Sequence, residues 1–126
     1  MRLLNTFTLE VESPFYGTIP ENVILPHTPG GEEVTLQDLQ NGLADCKKGF
    51  AKLKGCCTKA KEDGYTYCWI DTCCIDQTSS AELSEAINLM YRCCQKSSIC
   101  YIYLADATWA GHFEKAKWWS RGWTLQ

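Results

Sequence analysis

Long apolar segments and an excess of positive charge are both missing from this sequence. No run of residues approaches the roughly 20 apolar positions that a membrane-spanning helix requires, and the first residues lack the apolar core of a secretory signal. The formal net charge is -3, which argues against nucleic-acid binding through overall charge. We therefore expect a cytoplasmic chain without a membrane span and without a nucleic-acid partner.

Metal-binding cysteine patterns are missing as well, although cysteine itself is abundant. The chain contains nine cysteines and two histidines, but no two cysteines are separated by two residues. Structural zinc sites usually contain such pairs, and His27 and His112 stand far from the cysteine doublets. We predict no metal site, and we predict nine free thiols because a chain that is not secreted stays in a reducing compartment.

The remaining composition is that of an ordinary soluble domain. Of the 126 residues, 45% are hydrophobic and 21% are charged, and the sequence contains no internal repeat or low-complexity tract. A chain of this length usually forms one domain with a buried core. We therefore treat residues 1–126 as a single domain.

Three apolar segments predict the strands of a sheet. Residues 66–70 are rich in aromatic and β-branched side chains, and residues 23–25 and 99–105 form similar runs. These runs are nearly continuous rather than alternating, which is typical of parallel strands covered on both faces. Helical periodicity over residues 46–62 and 81–96 separates the three strands. The order predicts an α/β fold, a small parallel sheet with helices on both faces.

The second long helix carries an apolar stripe that we expect to face the core. The members of the stripe recur at helical spacing and are Leu83, Ala86, Ile87, Met90, Tyr91 and Cys94. Ser79 is placed to cap this helix, and Glu82 is placed to complete a capping box. Near the other end of the chain, residues 2–11 predict a short edge strand and its lead-in.

Polar side chains follow the predicted strands at their carboxyl ends, where open parallel sheets bind ligands. Those after the middle strand are Asp71, Cys73, Cys74, Asp76 and Gln77. His27 and Asp106 follow the other two strands. An alternative stays open, in which the aspartates cap turns and the cysteines fill the core. The sequence thus predicts either a pocket rim or a set of local caps at this edge.

Four stretches of the sequence resemble the fungal heterokaryon incompatibility (HET) domain. They are Trp-Ile-Asp-Thr-Cys-Cys-Ile-Asp-Gln at residues 69–77, residues 79–88, residues 100–106, and Arg-Gly-Trp-Thr-Leu-Gln at residues 121–126. Their order and spacing are similar too, and the resemblance covers essentially the whole chain. The first stretch is its most specific part.

The resemblance implies a role in fungal non-self recognition, in which fusion of incompatible cells triggers programmed cell death. HET domains are similar to TIR domains, distant relatives with a flavodoxin-like fold, some of which are self-associating scaffolds and others NAD-cleaving enzymes. We expect a signalling module of innate immunity that needs no cofactor and associates with itself or with other death-pathway proteins. The alternative is a TIR-like enzyme with NAD as its substrate.

The enzyme interpretation needs a carboxylate to stabilise the oxocarbenium-like centre that forms as nicotinamide leaves. Asp71, Asp76 or Asp106 is the candidate for that role, and His27 or Arg121 would hold phosphates. Trp123 belongs to a tryptophan-rich segment that we expect to cover a sheet face or to line the pocket.

The sequence departs from the HET pattern in three places. Pro-His-Thr-Pro-Gly at residues 26–30 replaces Ser-His-x-Trp-Gly, and Cys93-Cys94 stands where the family has Trp-Tyr. The third departure is the end at Gln126, where the family continues with a glutamate and a leucine-rich helix. We therefore expect a C-terminally truncated domain, in which the acid best placed for catalysis is absent.

Overall fold

The computed structural model describes residues 1–12, 15, 17–106 and 114–120. The strands are β1 (Leu3–Asn5), β2 (Val11–Glu12), β3 (Asn22–Ile24), β4 (Tyr67–Trp69) and β5 (Ile99–Cys100). The α-helices are α1 (Leu36–Gln40), α2 (Phe50–Glu62), α3 (Asp71–Cys74) and α4 (Ser80–Lys96), and 3-10 turns occur at Ala44–Cys46 and Lys117–Ser120. Each helix in these ranges is too short or too polar to cross a bilayer.

The described strands form one sheet in the order β2-β1-β4-β3-β5. β3 pairs in parallel with β4 and with β5, as the apolar runs predict, so the α/β class is confirmed. The predicted N-terminal edge strand is correct only in part: β2 lies at the edge of the described sheet, whereas β1 lies between β2 and β4 and runs antiparallel to both. Leu3 and Leu4 are both fully buried, and burial of successive side chains on opposite faces suits an internal strand.

The route of the chain reverses direction at β3. β4 lies next to β3 on one side within the sheet, and β5 lies next to β3 on the other side. The connection from β3 to β4 and the connection from β4 back past β3 to β5 therefore run in opposite directions along the sheet. Right-handed crossovers in opposite directions place α2 and α4 on opposite faces of the sheet. The order β4-β3-β5 matches the beginning of the flavodoxin-like order 2-1-3-4-5, in which ligands bind at the point of reversal. That point lies at the carboxyl ends of β3 and β5.

α2 packs on the core through the apolar stripe predicted for it. The buried members of the stripe include Leu53, Cys57 and Ala60. The helix begins at Phe50 rather than near residue 46, because Gly49 is its N-cap and a separate 3-10 turn precedes it. Gly64 follows its end with a φ of 87°, in the left-handed region that favours glycine.

Only part of the predicted apolar stripe of α4 faces the core, which corrects that expectation. Met90 packs against the core while partly exposed, and Cys93 rather than Cys94 is buried. Leu83 and Tyr91 are 49% and 54% exposed, and Cys94 is exposed too. The apolar stripe of α4 is therefore wider than the strip of sheet that the helix covers.

Candidate functional site

A histidine and an aspartate lie together where β3 and β4 end. His27 follows β3 with a fully buried side chain, and Asp71 opens α3 directly after β4 with a side chain that is 25% exposed. Asp71 Oδ1 lies 3.6 Å from Nδ1 of His27. After β4, the amides of Cys73 and Cys74 donate hydrogen bonds to the Ile70 carbonyl and form the turn of α3. The fold thus brings two strand-end residues into contact.

Glu33 and Lys52, which the sequence analysis did not single out, extend this pair into a row of charged groups. Glu33 Oε2 lies 3.7 Å from Nε2 of His27 and 2.6 Å from Nζ of Lys52. The side chains of Glu33 and Lys52 are 14% and 7% exposed. We call the row from Lys52 through Glu33 and His27 to Asp71 the strand-end network.

A close backbone contact holds Glu33 against the start of α2. The amide of Gly49 donates to the Glu32 carbonyl over 3.1 Å. A Cβ at Gly49 would lie 3.1 Å from that carbonyl oxygen and 3.1 Å from Cα of Glu33. Glycine therefore allows the loop and the helix to approach this closely. The amide of Gly30 then donates to Glu33 Oε1 over 2.7 Å and fixes the carboxylate.

Glu33 stays ionised at neutral pH although it is largely buried. Burial raises the pKa of its carboxyl group, but the hydrogen bonds from Lys52 and a backbone amide and the charges of Lys52 and His27 lower it, and the resulting pKa is below the ordinary value. On the other side of the ring, His27 Nδ1 lies 3.1 Å from the Leu25 carbonyl oxygen. The His27 ring therefore has oxygen atoms on both sides, that of Glu33 near Nε2 and those of Leu25 and Asp71 near Nδ1.

Asp76 has a structural role in the loop between α3 and α4. Its carboxylate accepts hydrogen bonds from Nε2 of Gln37 at 2.8 Å and from the amide and hydroxyl of Thr78 at 2.9 and 2.6 Å. These bonds, with the Thr78 hydroxyl as the largest cause, lower the pKa of Asp76. Asp76 thus joins α1 to this loop, which is the arrangement that the turn-capping alternative expects.

The capping box predicted at the start of α4 forms only in part. Ser79 Oγ accepts a hydrogen bond from the Glu82 amide at 3.3 Å, as predicted. The Glu82 carboxylate does not return the bond to Ser79, because it accepts one from the Asp76 amide at 2.8 Å and pairs with Arg2 at 2.7 Å. The carboxylate therefore links the residue before β1 to the loop before α4.

The two cysteines of this segment belong to the core. Cys73 and Cys74 are 0% and 3% exposed, and their Sγ atoms lie 3.7 Å from the Ile70 carbonyl oxygen and 3.4 Å from the Ile70 amide, respectively. Gln77 is exposed, and its Nε2 donates to the Thr72 carbonyl over 3.4 Å. Of these three candidates, only Gln77 reaches the surface of the loop.

The remaining candidates lie toward the C-terminus. Asp106 is exposed, and its carboxylate accepts a hydrogen bond from the Lys117 amide at 2.9 Å. It therefore holds the 3-10 turn in which Trp118 is buried. Arg121 and Trp123 lie outside the described residues.

A groove of about 550 Å³ lies beside the network, between α2 and β5. Its lining residues are Leu25, Ala51, Lys52, Gly55, Cys56, Lys59, Cys100, Tyr101, Ile102 and Tyr103. Lys52 belongs to both the groove and the network, and its Nζ lies 5.8 Å from the centre of the Tyr103 ring. The volume is in the range of small-molecule sites, and the groove opens at the reversal point of the sheet.

All nine cysteines are free in the structure. The Sγ atoms of the buried Cys57 and Cys68 lie 3.8 Å apart. Within the described ranges, no group of three or more His, Cys, Asp or Glu side chains is arranged to hold a metal ion.

Comparison with known proteins places this chain in a family. The profile of the heterokaryon incompatibility protein (HET) family matches residues 48–111, which is about half of the chain. The chain belongs to the HET family. This HET-family chain is also 44% identical over 123 residues to vegetative incompatibility protein HET-E-1 of Podospora anserina. The alignment covers 87% of the chain and 9% of that protein. No solved structure matches the chain.

The matched segment of this HET-family chain contains only part of the strand-end network. Lys52 and Asp71 fall within residues 48–111, whereas His27 and Glu33 precede that range. The resemblance found from the sequence is confirmed at the level of the family. The network joins the matched segment to the loop that follows β3.

Proposed function

We propose that this chain is a signalling module of fungal heterokaryon incompatibility that acts in the cytoplasm and contributes to programmed cell death after non-self recognition. The observation that carries the proposal is the 44% identity to a vegetative incompatibility protein over 87% of the chain. Because the chain spans 9% of that relative, the proposal concerns one module of such a protein. Its partner is a second copy of the chain or another death-pathway protein.

The strand-end network supports a binding role for this edge of the sheet. His27, Glu33 and Lys52 are nearly buried, whereas the Asp71 side chain is 25% exposed. The Asp71 carboxylate lies 3.6 Å from the buried His27 imidazole and accepts a hydrogen bond from the Thr72 amide over 3.0 Å, and a carboxylate can accept strong hydrogen bonds from a cationic group of a partner. Asp71 is therefore the member of the network that we assign to partner contact.

Inducible expression of the chain in a filamentous fungus tests the proposal, with cell viability as the readout. Asp71→Asn should retain the melting temperature and lose most of the killing, because the variant keeps the shape of the side chain and removes its charge. Asp45→Asn is the matched control, since Asp45 is an exposed aspartate that is not a member of the network, and it should retain killing. A folded parent chain that leaves cells fully viable would contradict the proposal, and equal loss of folding and killing in Asp71→Asn would remove the role of Asp71.

One observation favours a second candidate function, cleavage of NAD. Lys52 joins the ionised Glu33 carboxylate to a groove of suitable size. A fixed carboxylate can stabilise the positive charge that develops on the ribose as nicotinamide leaves. Of the three predicted catalytic candidates, only Asp71 belongs to the strand-end network that reaches the groove through Lys52, whereas Asp76 and Asp106 hold turns.

Incubation of the purified chain with NAD tests this second function, with chromatographic detection of nicotinamide. Release that exceeds the buffer rate and is abolished by Asp71→Asn, but retained in Asp45→Asn, would support it. Nicotinamide release at the buffer rate by the folded parent would reject it and leave the signalling proposal in place.

A further inference from the structure

Helix α2 leaves space in the groove between α2 and β5 at a glycine. Gly55 lies in the middle of the helix and lines the groove, and a Cβ at this position would meet nothing within 4 Å. After proline, glycine is the residue least suited to a helix interior. Neither a close neighbour nor a positive φ requires it here. The glycine therefore leaves empty a space that a larger side chain would fill.

The chain that follows β5 lines the groove with two tyrosines that are held in place. Tyr103 forms a parallel bridge with His27, and its ring lies 5.8 Å from Lys52 Nζ. The Tyr101 hydroxyl donates a hydrogen bond to Asp63, the C-cap residue of α2. Side chains that are already fixed lose little freedom when a ligand binds. Two aromatic rings and an open glycine favour a ligand with a flat, apolar body.

The charged side chains that line the groove, among the residues that the structure describes, belong to Lys52 and Lys59. They share one side of α2 with Gly55, at positions three before it and four after it, so about 10 Å along the helix axis separates them. Lys52 is not available to a ligand. Its Nζ lies 2.7 and 2.6 Å from the two carboxylate oxygens of Glu33, and its side chain is 7% exposed.

Lys59, in contrast, can change its partner. Its side chain is 56% exposed, and it pairs with Asp63 one turn further along α2. An exposed ion pair of this kind contributes little stability. Asp63 also accepts the hydrogen bond from the Tyr101 hydroxyl, so it keeps a donor when Lys59 turns toward a ligand. The groove therefore offers one available cation beside an apolar and aromatic lining.

We propose that this groove binds a small organic acid with a flat aromatic body. The ring system lies over Gly55 and against the two tyrosines, and the acid group pairs with Lys59. The location agrees with the rule that open α/β sheets bind ligands where the order of the strands reverses. The inference goes beyond the proposed function, because it requires neither the killing of fungal cells nor the cleavage of NAD.

NMR titration of the isotope-labelled whole chain with two matched probes, 2-naphthoate and 2-naphthamide, tests this assignment. The probes have nearly the same shape, and only 2-naphthoate is charged at neutral pH. We expect 2-naphthoate to bind with a Kd of about 1 mM or less, which is reasonable for a ligand of its size. It should bind at least five-fold more tightly than the amide, and the shifted resonances should include Gly55 and Lys59.

Three substitutions separate the site of the ring from the site of the acid group. Gly55→Leu fills the space on α2 and should weaken binding of 2-naphthoate at least ten-fold. Leucine is a better helix former than glycine, so the variant should stay folded, which circular dichroism checks. Lys59→Gln should retain binding of the amide and reduce the preference for the acid to less than two-fold. Lys54→Gln is the matched control, because Lys54 is exposed on α2 but does not line the groove, and it should leave both affinities unchanged.

Four outcomes would overturn the inference: a folded parent that binds neither probe, equal binding of the acid and the amide, full binding by Gly55→Leu, or equal losses in Lys54→Gln and Lys59→Gln. Failure here is distinguishable from failure of the proposed function. A chain that binds 2-naphthoate but leaves fungal cells viable and NAD intact has the site without either function. A chain that kills cells but binds neither probe has the function without the site.

Discussion

Replacement of Glu33 by glutamine would leave the buried Lys52 ammonium without the carboxylate that it contacts. The two side chains have nearly the same volume, so the change removes charge and preserves packing. Lys52 Nζ lies 2.7 and 2.6 Å from the two carboxylate oxygens, and its side chain is 7% exposed. Glu33→Gln therefore tests the electrostatics of the strand-end network directly.

The burial of this ion pair determines the expected loss of stability. Removal of one partner from a buried pair costs about 3–5 kcal/mol, because the remaining charge is uncompensated. Glutamine keeps one oxygen that can accept a hydrogen bond from Lys52, so we expect the lower end, about 3 kcal/mol. In a domain of this size, that loss lowers the melting temperature by roughly 10 °C.

Urea unfolding at pH 7, followed by circular dichroism, measures the free energy of unfolding of each variant. The control is Glu33→Gln/Lys52→Met, which removes both charges and should recover most of the loss. A cost for Glu33→Gln below about 0.5 kcal/mol, the value of a surface ion pair, would refute the reasoning.

The pH dependence of the same measurement has a defined sign. The pKa of Glu33 is lowered in the folded protein. Its stabilising contribution is therefore present above the unfolded pKa of about 4.3 and is lost as the pH falls through the folded pKa. Between about pH 5 and pH 3, Glu33→Gln should lose less stability than the parent chain, and a parallel loss in the two proteins would contradict this assignment.

The remaining predictions concern two glycines, the side chain of Asp71 and the cysteine thiols. Gly49→Ala should destabilise by about 1–2 kcal/mol, because backbone atoms stand 3.1 Å from the new Cβ. Gly55→Ala, whose Cβ would meet nothing within 4 Å, should stabilise α2 by about 0.5–1 kcal/mol, and thermal melts of the two variants separate these effects. Asp71→Asn should cost about 1 kcal/mol or less in urea unfolding, and a larger cost would show that Asp71 supports the fold. Thiol titration of the protein in denaturant should find nine free thiols, and fewer than about seven would contradict a reduced chain.

The apolar runs were sufficient to identify the parallel strands. Residues around 23–25 and 66–70 overlap β3 and β4, since a strand covered on both faces is apolar at successive positions. Only Ile99–Cys100 of the run at residues 99–105 forms β5, and Cys100, Ile102 and Tyr103 are exposed, so this run is not covered on both faces. The antiparallel placement of β1 was not predictable in the same way. Its pairing with β4 depends on which strand edge is available after the parallel strands have formed.

The spacing of apolar residues predicted the α4 helix but not which of its apolar residues are buried. The spacing of apolar residues identified the helix, and it put Leu83, Tyr91 and Cys94 in the same stripe as Met90. Partial burial of Met90, full burial of Cys93 and exposure of the other three depend on how the helix is rotated on the sheet. That rotation is decided by contacts with residues distant in sequence, which a local pattern does not contain.

Part of the strand-end network was likewise predictable from the sequence, and part depends on the tertiary structure. The sequence by itself determined that His27 and Asp71 would be neighbours, because the carboxyl ends of adjacent parallel strands meet at one edge. Only the tertiary structure decided that Glu33 and Lys52, 19 residues apart, would join them. A charged side chain in a sequence is most often solvated, and these two are paired because the loop after β3 packs on Gly49 and removes both side chains from water.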